Sequence, residues 1–538
     1  MIGATRATDR RLLSGPRGQL NFGARLSSRP ELQEFFTRLA PIALCLAFVL
    51  TLTLSLSAIP HRTGDAHQYI AMALQLSQLG PPSLSPEEES AYSAWLQAQS
   101  SESGFPDGAR AIRQPALIRG GRQEFSHFWL YPLLAAPTTG FATAVGAHPV
   151  AAFTITNTLL FGAALWATAR TFGSVPALLI IGSPLVWFLA RAQVEIFTVS
   201  LLSLAMAAAT RGRWGWAALA TATASTQNAP IAATIPIFWA AAIIEWIAGR
   251  RASHSPLVPD KAETGRTLAF ALSAIGIALL HPAYYLLHLG VLTPQQLNGG
   301  ITGAWPTAER FLAPLIDPDI GFGPWMPITA LLTVAGLALL VKSDWRGGKE
   351  NRHLALTLLC SAVMCVWFLF VFSQTTNVNS GGTLHVSRYA LWLIPLTLPA
   401  IAVSSRYLDA RVPGMLLVGG FALFAAYLTY FNPDQGERYV EHSPQATWLM
   451  THVPAAYRPI PEIFVERTLH IDGGARASAA DPACRIVLVV SAQPDQPCAL
   501  TALEQFSLRE KFAEGDAAVW IRRGALGAGG VTTAISGS

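Results

Sequence analysis

In the stretch His61-Arg62-Thr63-Gly64-Asp65-Ala66-His67-Gln68-Tyr69-Ile70, the carboxylate of Asp65 falls where the first long apolar run gives way to polar sequence. A carboxylate at a membrane boundary can take a proton from a hydroxyl nucleophile, and partial desolvation there would raise its basicity. Aspartate is also a favoured N-cap. Gly64-Asp65 opens a predicted amphipathic helix over Ala66–Leu79, expected to lie at the interface. The cap and the base are compatible roles. His61, Asp65 and His67 could form a divalent metal site, although a boundary histidine is more often a hydrogen-bonded surface residue.

Arg388 is the next group with chemistry to offer. It stands where a loop rich in Asn, Ser, Thr and Gly (Gln374–His385) enters an apolar run. A guanidinium there can hold a lipid phosphate through paired hydrogen bonds and stabilise its charge as it leaves. The alternative is an arginine that snorkels to headgroups. Arg191 and Glu195 lie one helical turn apart and are expected to pair with each other; Glu195 is kept as a substrate-side candidate. His281-Pro282 sits inside the run 267–289, where a histidine is either functional or satisfied at a proline kink.

These groups need a scaffold, and the composition names its class. Of 538 residues, 51% are apolar and 13% charged, about half the usual charged share of roughly 25%. The charges cluster between apolar runs about 20 residues long, the pattern of an α-helical polytopic membrane protein. The runs fall at 39–59, 149–169, 175–191, 194–210, 214–228, 230–248, 267–289, 325–341, 354–373, 389–404 and 413–431, about 11 transmembrane helices. Residues 127–137, broken by Pro132 and Pro137, are expected to be interfacial or re-entrant. The arginine-rich arm 1–38 belongs in the cytoplasm by the positive-inside rule. The run after it is too extended for a signal peptide.

The loops then alternate. Asp65 in the outer loop 60–147, the Arg191–Glu195 turn, residues 374–388 and the part after Asn432 all come out on the far side. Residues 39–431 form the membrane domain. Residues 432–523 form a small C-terminal α/β domain, with strands at Arg485–Val490 and Ala517–Ile521 and a helix at Leu500–Phe512. Residues 524–538 form a disordered tail. The net charge of +5 reflects topology and not a nucleic-acid patch. Cys45, Cys360 and Cys365 lie in apolar runs. Cys484 and Cys498 could form a disulfide in an oxidising compartment, or remain free thiols. Walker A, GxSxG, HExxH and dinucleotide-binding patterns are absent.

Four short motifs point further. Gly64-Asp65 with Tyr69, Phe128–Pro137 (FWLYPLLAAP), Asp317–Pro327 (DPDIGFGPWMP) and Ser387-Arg388-Tyr389 with Pro395 occur in that order along the membrane region. Together they resemble the GT-C superfamily of glycosyltransferases, polytopic enzymes that use polyprenyl-phosphate sugars, such as protein O-mannosyltransferases and lipid A aminoarabinose transferases. The resemblance implies a bacterial inner-membrane enzyme with its C-terminus in the periplasm. It would transfer a sugar from a polyprenyl-phosphate donor, with inversion, to a lipid, glycan or protein acceptor. Asp65 would be the general base, and Arg388 with Tyr389 would bind the donor phosphate. His61, His67, Tyr69, Glu195 and His281 would lie near the substrates. Asp317 and Asp319 would contact the sugar or cap the following helix. Many relatives carry a second acidic residue directly after the aspartate; here Ala66 follows, then His67, which leaves Asp65 without that neighbour. Two other classes stay open. A flippase or transporter of lipid-linked glycans predicts charges deep within the spans. A non-catalytic assembly protein predicts that Asp65→Asn leaves function intact.

Overall fold

In a bilayer an apolar run can satisfy its backbone N–H and C=O groups only by coiling on itself, and the charge-poor runs of this chain do so. The structure, a computed structural model, describes residues 30–57, 65–103, 112–253, 261–298, 305–342, 349–375, 378–379, 386–406, 441–452, 457, 459–460, 463, 466–467, 484–487 and 520–522. Its helices are α1 (Pro30–Ser57), α2 (Ala66–Ser77), α3 (Pro86–Ser103), α4 (Leu130–Ala144), α5 (Pro149–Phe172), α6 (Ser174–Ile181), α7 (Glu195–Thr210), α8 (Trp214–Ser225), α9 (Ile235–Ser253), α10 (Lys261–Leu289), α11 (Ala308–Ile316), α12 (Pro327–Lys342), α13 (Lys349–Ser373), α14 (Ile394–Arg406) and α15 (Pro444–His452). Pro149–Phe172, Ala229–Ala248, Gly265–Leu289 and Asn351–Ser373 are each long and apolar enough to cross a membrane. The protein is a multi-pass helical membrane protein.

Helices stand at the expected runs, with local departures that have local causes. The run 175–191 is α6 followed by a 3-10 segment, Pro184–Ala190. Pro184 has no N–H to continue the α-helical ladder, and the Ser183 hydroxyl donates to the Ile180 carbonyl at 2.6 Å in its place. In the run 127–137, expected to be interfacial or re-entrant, α4 starts at Leu130 and continues through both prolines as one helix of 15 residues. Pro132 falls in its first turn, where an N–H would have no partner in any case, and Pro137 is carried inside it. The expected run 413–431 lies outside the described residues.

Ala66 to Ala73 are all buried, so the first two turns of α2 are packed on every side and show no exposed polar face. Its alanines let α4 approach closely. Tyr69, Ile70 and Met72 join Phe125, Tyr131, Phe153 and Phe197 in one apolar cluster. The centre of the bundle is α7, which packs on α5, α8, α13 and α14. It is apolar on all sides, as a fully buried helix should be, and its first residue is Glu195.

The helices α12 and α14 cross closely at Gly336. A Cβ on Gly336 would sit 2.0 Å from the Ala400 carbonyl oxygen and 2.6 Å from its carbon. Both are backbone atoms that cannot swing aside. Gly336→Ala is therefore expected to destabilise the protein by about 1–3 kcal/mol, read as a lower melting temperature in detergent. Gly276→Ala in α10 meets nothing within 4 Å and should be neutral or slightly stabilising, by up to about 1 kcal/mol.

Beyond the bundle, the strand β1 (Cys484–Val487) pairs antiparallel with β2 (Trp520–Arg522). The helix expected over Leu500–Phe512, Cys498 and the tail 524–538 lie outside the described residues, as do the side chain of Cys484 and residues 1–29 of the N-terminal arm.

Candidate active site

The helix ends gather the polar groups at one end of the bundle. Asp65 precedes α2, Glu195 opens α7, and Arg388 opens the single turn Arg388–Leu391 before α14. His281 in the last part of α10 meets the Thr226 carbonyl just past α8, with Nδ1 2.8 Å away. At the opposite end of α8, Trp214 Nε1 and His353 Nε2 approach the Glu245 carboxylate at 2.6 and 2.5 Å. Tertiary packing thus sorts the buried ionisable groups to the two ends.

Asp65 has the backbone position of an N-cap, and its carbonyl accepts from the N–H of Gln68 at 3.0 Å. Its side chain makes no capping bond. The carboxylate turns away to Arg388, whose Nη1 donates to Oδ2 at 2.8 Å. Its other oxygen, Oδ1, lies 3.1 Å from His127 Nε2. The side chain thus does not serve as the cap. Burial alone would raise the Asp65 pKa, but the His127 imidazole and the Arg388 guanidinium outweigh it and hold the carboxyl well below the usual range. The raised basicity expected from partial desolvation is therefore not found: Asp65 is an ionised carboxylate and a weak base.

Glu195 corrects a second expectation. The Arg191 guanidinium lies over the Trp187 ring, 4.2 Å from its centroid, and the Glu195 carboxylate faces Arg388, with Oε1 3.7 Å from Nε. Two carboxylates from distant segments thus share one guanidinium. Three buried polar atoms here have no hydrogen-bond partner among the described residues: Tyr69 Oη, Glu195 Oε2 and Arg388 Nε. Burial, and then the charges of Asp65 and Glu195, push the Tyr69 phenol well above its usual pKa, so it stays protonated and can donate.

His127 carried no signal of its own in the sequence, where it reads as the polar edge of an aromatic run. Its fixing is tertiary. Glu124 accepts from Tyr284 Oη at 2.8 Å, and the Phe125 carbonyl accepts from Tyr285 Oη at 3.1 Å. The Ser126 N–H and hydroxyl both donate to Gln68 Oε1 at 2.9 Å, and the Phe128 carbonyl accepts from Gln227 Nε2 at 3.0 Å. The strip is fastened on both sides of His127. Its ring packs on Tyr69, centroids 4.9 Å apart.

No family model matches the chain, and no curated protein matches it. Among solved structures it is similar to ArnT from Cupriavidus metallidurans. The form bound to undecaprenyl phosphate is 13% identical, with a TM-score of 0.37, over 72% of this chain and 64% of that one. The apo form is 14% identical, with a TM-score of 0.36 and the same coverage. The chain thus spans just under two thirds of ArnT's length.

The remaining expected residues are placed as follows. Tyr389 stacks on Phe372 at 5.2 Å and stands edge-on to Trp392, with the Arg388 guanidinium carbon 5.4 Å from its ring centroid; it braces the arginine. His67 is buried in α2, and its carbonyl accepts from Tyr92 Oη at 3.0 Å. His281 is buried against Phe128 and Tyr285. His61 lies outside the described residues. Among the described residues no three His, Cys, Asp or Glu side chains converge as metal ligands.

Asp317 and Asp319 form a separate, buried clasp. Asp317 Oδ1 accepts from the N–H groups of Asp319 and Ile320 at 2.8 and 3.2 Å, capping its own turn. Asp319 accepts from His442 Nδ1 at 2.8 Å, from the Ser443 N–H at 2.6 Å and from Arg467 Nη1 at 3.4 Å. Tyr457 Oη lies 3.2 Å from an oxygen of each carboxylate. A backbone bond from the Ser387 N–H to the Ile320 carbonyl at 3.1 Å links the clasp to the residue directly before Arg388.

Proposed function

We propose that the protein is a glycosyltransferase. It moves a sugar from a polyprenyl-phosphate donor to an acceptor at the periplasmic face of the bacterial inner membrane. The end of the bundle carrying Asp65 would face the periplasm, with the N-terminal arm in the cytoplasm. The observation that carries the reading is the meeting of Asp65 and Arg388, 323 residues apart in sequence and 2.8 Å apart in space. Sugar transfer from a lipid phosphate needs a group that draws the proton from the acceptor hydroxyl and a cation that takes up the charge of the departing phosphate. Asp65 is the carboxylate on which proton removal depends. Arg388 is the cation, with Nε free of any hydrogen bond among the described residues to offer a phosphate oxygen. Tyr69 Oη and Glu195 Oε2 have donor and acceptor capacity suited to sugar hydroxyls. The Asp317–Asp319 clasp holds the approach to Arg388 in place.

The test uses the purified protein in detergent with a panel of radiolabelled undecaprenyl-phosphate sugars. Asp65→Asn should lower turnover by about 10²–10⁴-fold, while native mass spectrometry still shows undecaprenyl phosphate bound. Undiminished turnover in that variant would remove Asp65 from the mechanism. No transfer from any donor by the unaltered protein would remove the enzyme class.

A further inference from the structure

We propose that the acceptor's proton is taken by Nδ1 of His127, and that Asp65 orients this imidazole and does not take the proton itself. The inference rests on the glycosyltransferase reading above and names the atom that performs its proton step.

Both Asp65 oxygens are already engaged, Oδ2 by Arg388 at 2.8 Å and Oδ1 by His127 at 3.1 Å. A carboxylate held between a guanidinium and an imidazole has little affinity left for a proton. The imidazole beside it has what Asp65 lacks. With Nε2 directed at the carboxylate, the neutral ring carries its hydrogen there, and Nδ1 keeps the lone pair. Among the described residues no hydrogen bond engages Nδ1, and the side chain is 18% exposed. The ring cannot turn away easily. Tyr69 packs on it at 4.9 Å and is itself held edge-on by Tyr131 at 5.5 Å, and the backbone is fastened through Ser126 and Phe128. The charged and titratable groups around it are Asp65 before α2, Tyr69 on α2, Glu195 on α7, His281 on α10 and Arg388 before α14. A carboxylate that fixes a histidine tautomer and steadies the imidazolium while the histidine moves the proton is a recurrent solution in acyl transfer. Here it would serve glycosyl transfer.

The step balances. The acceptor O–H bond breaks and its proton passes to His127 Nδ1. The acceptor oxygen forms a bond to the anomeric carbon. The bond from that carbon to the phosphate oxygen breaks, and its electron pair leaves with the polyprenyl phosphate. The phosphodiester monoanion becomes a phosphomonoester dianion beside Arg388, and His127 then releases its proton to solvent.

The experiment compares His127→Ala, His127→Gln and Asp65→Asn in the transfer assay, with native mass spectrometry of undecaprenyl phosphate binding as the check on folding. His127→Ala should lose about 10²–10⁴-fold in kcat, with KM for the donor and lipid binding unchanged. Added imidazole should restore its turnover, because the space left by the ring admits a free base. Asp65→Asn should lose a similar factor and gain nothing from imidazole. His127→Gln, which keeps polarity and bulk but cannot take a proton, should be as slow as His127→Ala. The inference is overturned if His127→Gln turns over within a few-fold of the unaltered protein, or if imidazole fails to rescue a His127→Ala variant that still binds the lipid. An unaltered protein that transfers nothing fails the glycosyltransferase reading itself, a separate result.

Discussion

Arg388→Gln is expected to abolish detectable transfer and to cost the protein stability as well. The guanidinium is 17% exposed and stands between Asp65 at 2.8 Å and Glu195 at 3.7 Å. Without it, two carboxylates face each other across a site where one is almost wholly buried. Removing one partner of a buried ion pair typically costs about 3–5 kcal/mol, because the other charge is left uncompensated. Loss of a positioned cation at a departing phosphate typically costs about 10²–10³-fold in rate, and the displaced Asp65 adds to that. Arg388→Lys should recover stability better than turnover, since an ammonium is a point charge and cannot address two groups along a planar edge. The double variant Arg388→Gln with Glu195→Gln should recover much of the lost melting temperature and none of the activity. Additive losses would mean that Glu195 and Arg388 are not coupled.

Asp319→Asn is expected to release the segment carrying α15 from the bundle. The carboxylate is fully buried and answers both His442 and Arg467. Its loss should cost about 3–5 kcal/mol, seen as faster hydrogen exchange over Pro444–His452. Asp317→Asn should behave oppositely. Burial, and then the charge of Asp319, push the Asp317 carboxyl up to about 6, so at neutral pH it is ionised against the preference of its surroundings. Asparagine keeps the Oδ1 that caps the turn and removes the repulsion. A phenol has one proton, so Tyr457 can donate to only one of the two carboxylates. A protonated Asp317 supplies the hydrogen for its own contact with Tyr457.

The pH dependence follows from the two shifts. Asp317 binds its proton more tightly in the folded state, so its contribution strengthens as pH falls from above 6 toward 4. Burial raises Asp319 too, but His442 and Arg467 outweigh it and bring its carboxyl down to about 2. Its contribution is full above about 4 and is lost as pH falls toward 2. The clasp should therefore be firmest near pH 4 and weaken on either side. In Asp317→Asn the gain between neutral pH and 4 should vanish.

Much of this protein was legible in its sequence because hydropathy is a local property. The positions of the apolar runs, the placing of Asp65 and Glu195 at helix starts, and the entry of Arg388 into the bundle all follow from where charge stops and apolar residues begin. What the sequence left open was settled by contacts across hundreds of residues. Asp65 could cap α2 with its side chain or turn away from it, and contacts with Arg388 and His127 turn it away. Glu195 had Arg191 one turn away, and local spacing favoured that pair; packing put Arg191 on Trp187 and turned Glu195 toward Arg388. The α2 helix looked amphipathic because polar His67 and Gln68 alternate with apolar neighbours. Yet both are buried, with Gln68 bonded to Ser126 and the His67 carbonyl to Tyr92. A polar side chain can enter a core when its partner is waiting there, and no local pattern reveals the partner. His127 is the sharpest case. Its residue type signals chemistry only beside Asp65, and that proximity exists because Tyr284, Tyr285, Gln68 and Gln227 fasten the strip on either side of it. The sequence by itself determined a helical membrane scaffold and which carboxylate stands at its edge. The tertiary structure decided which groups face that carboxylate, and so its charge, its basicity and its chemistry.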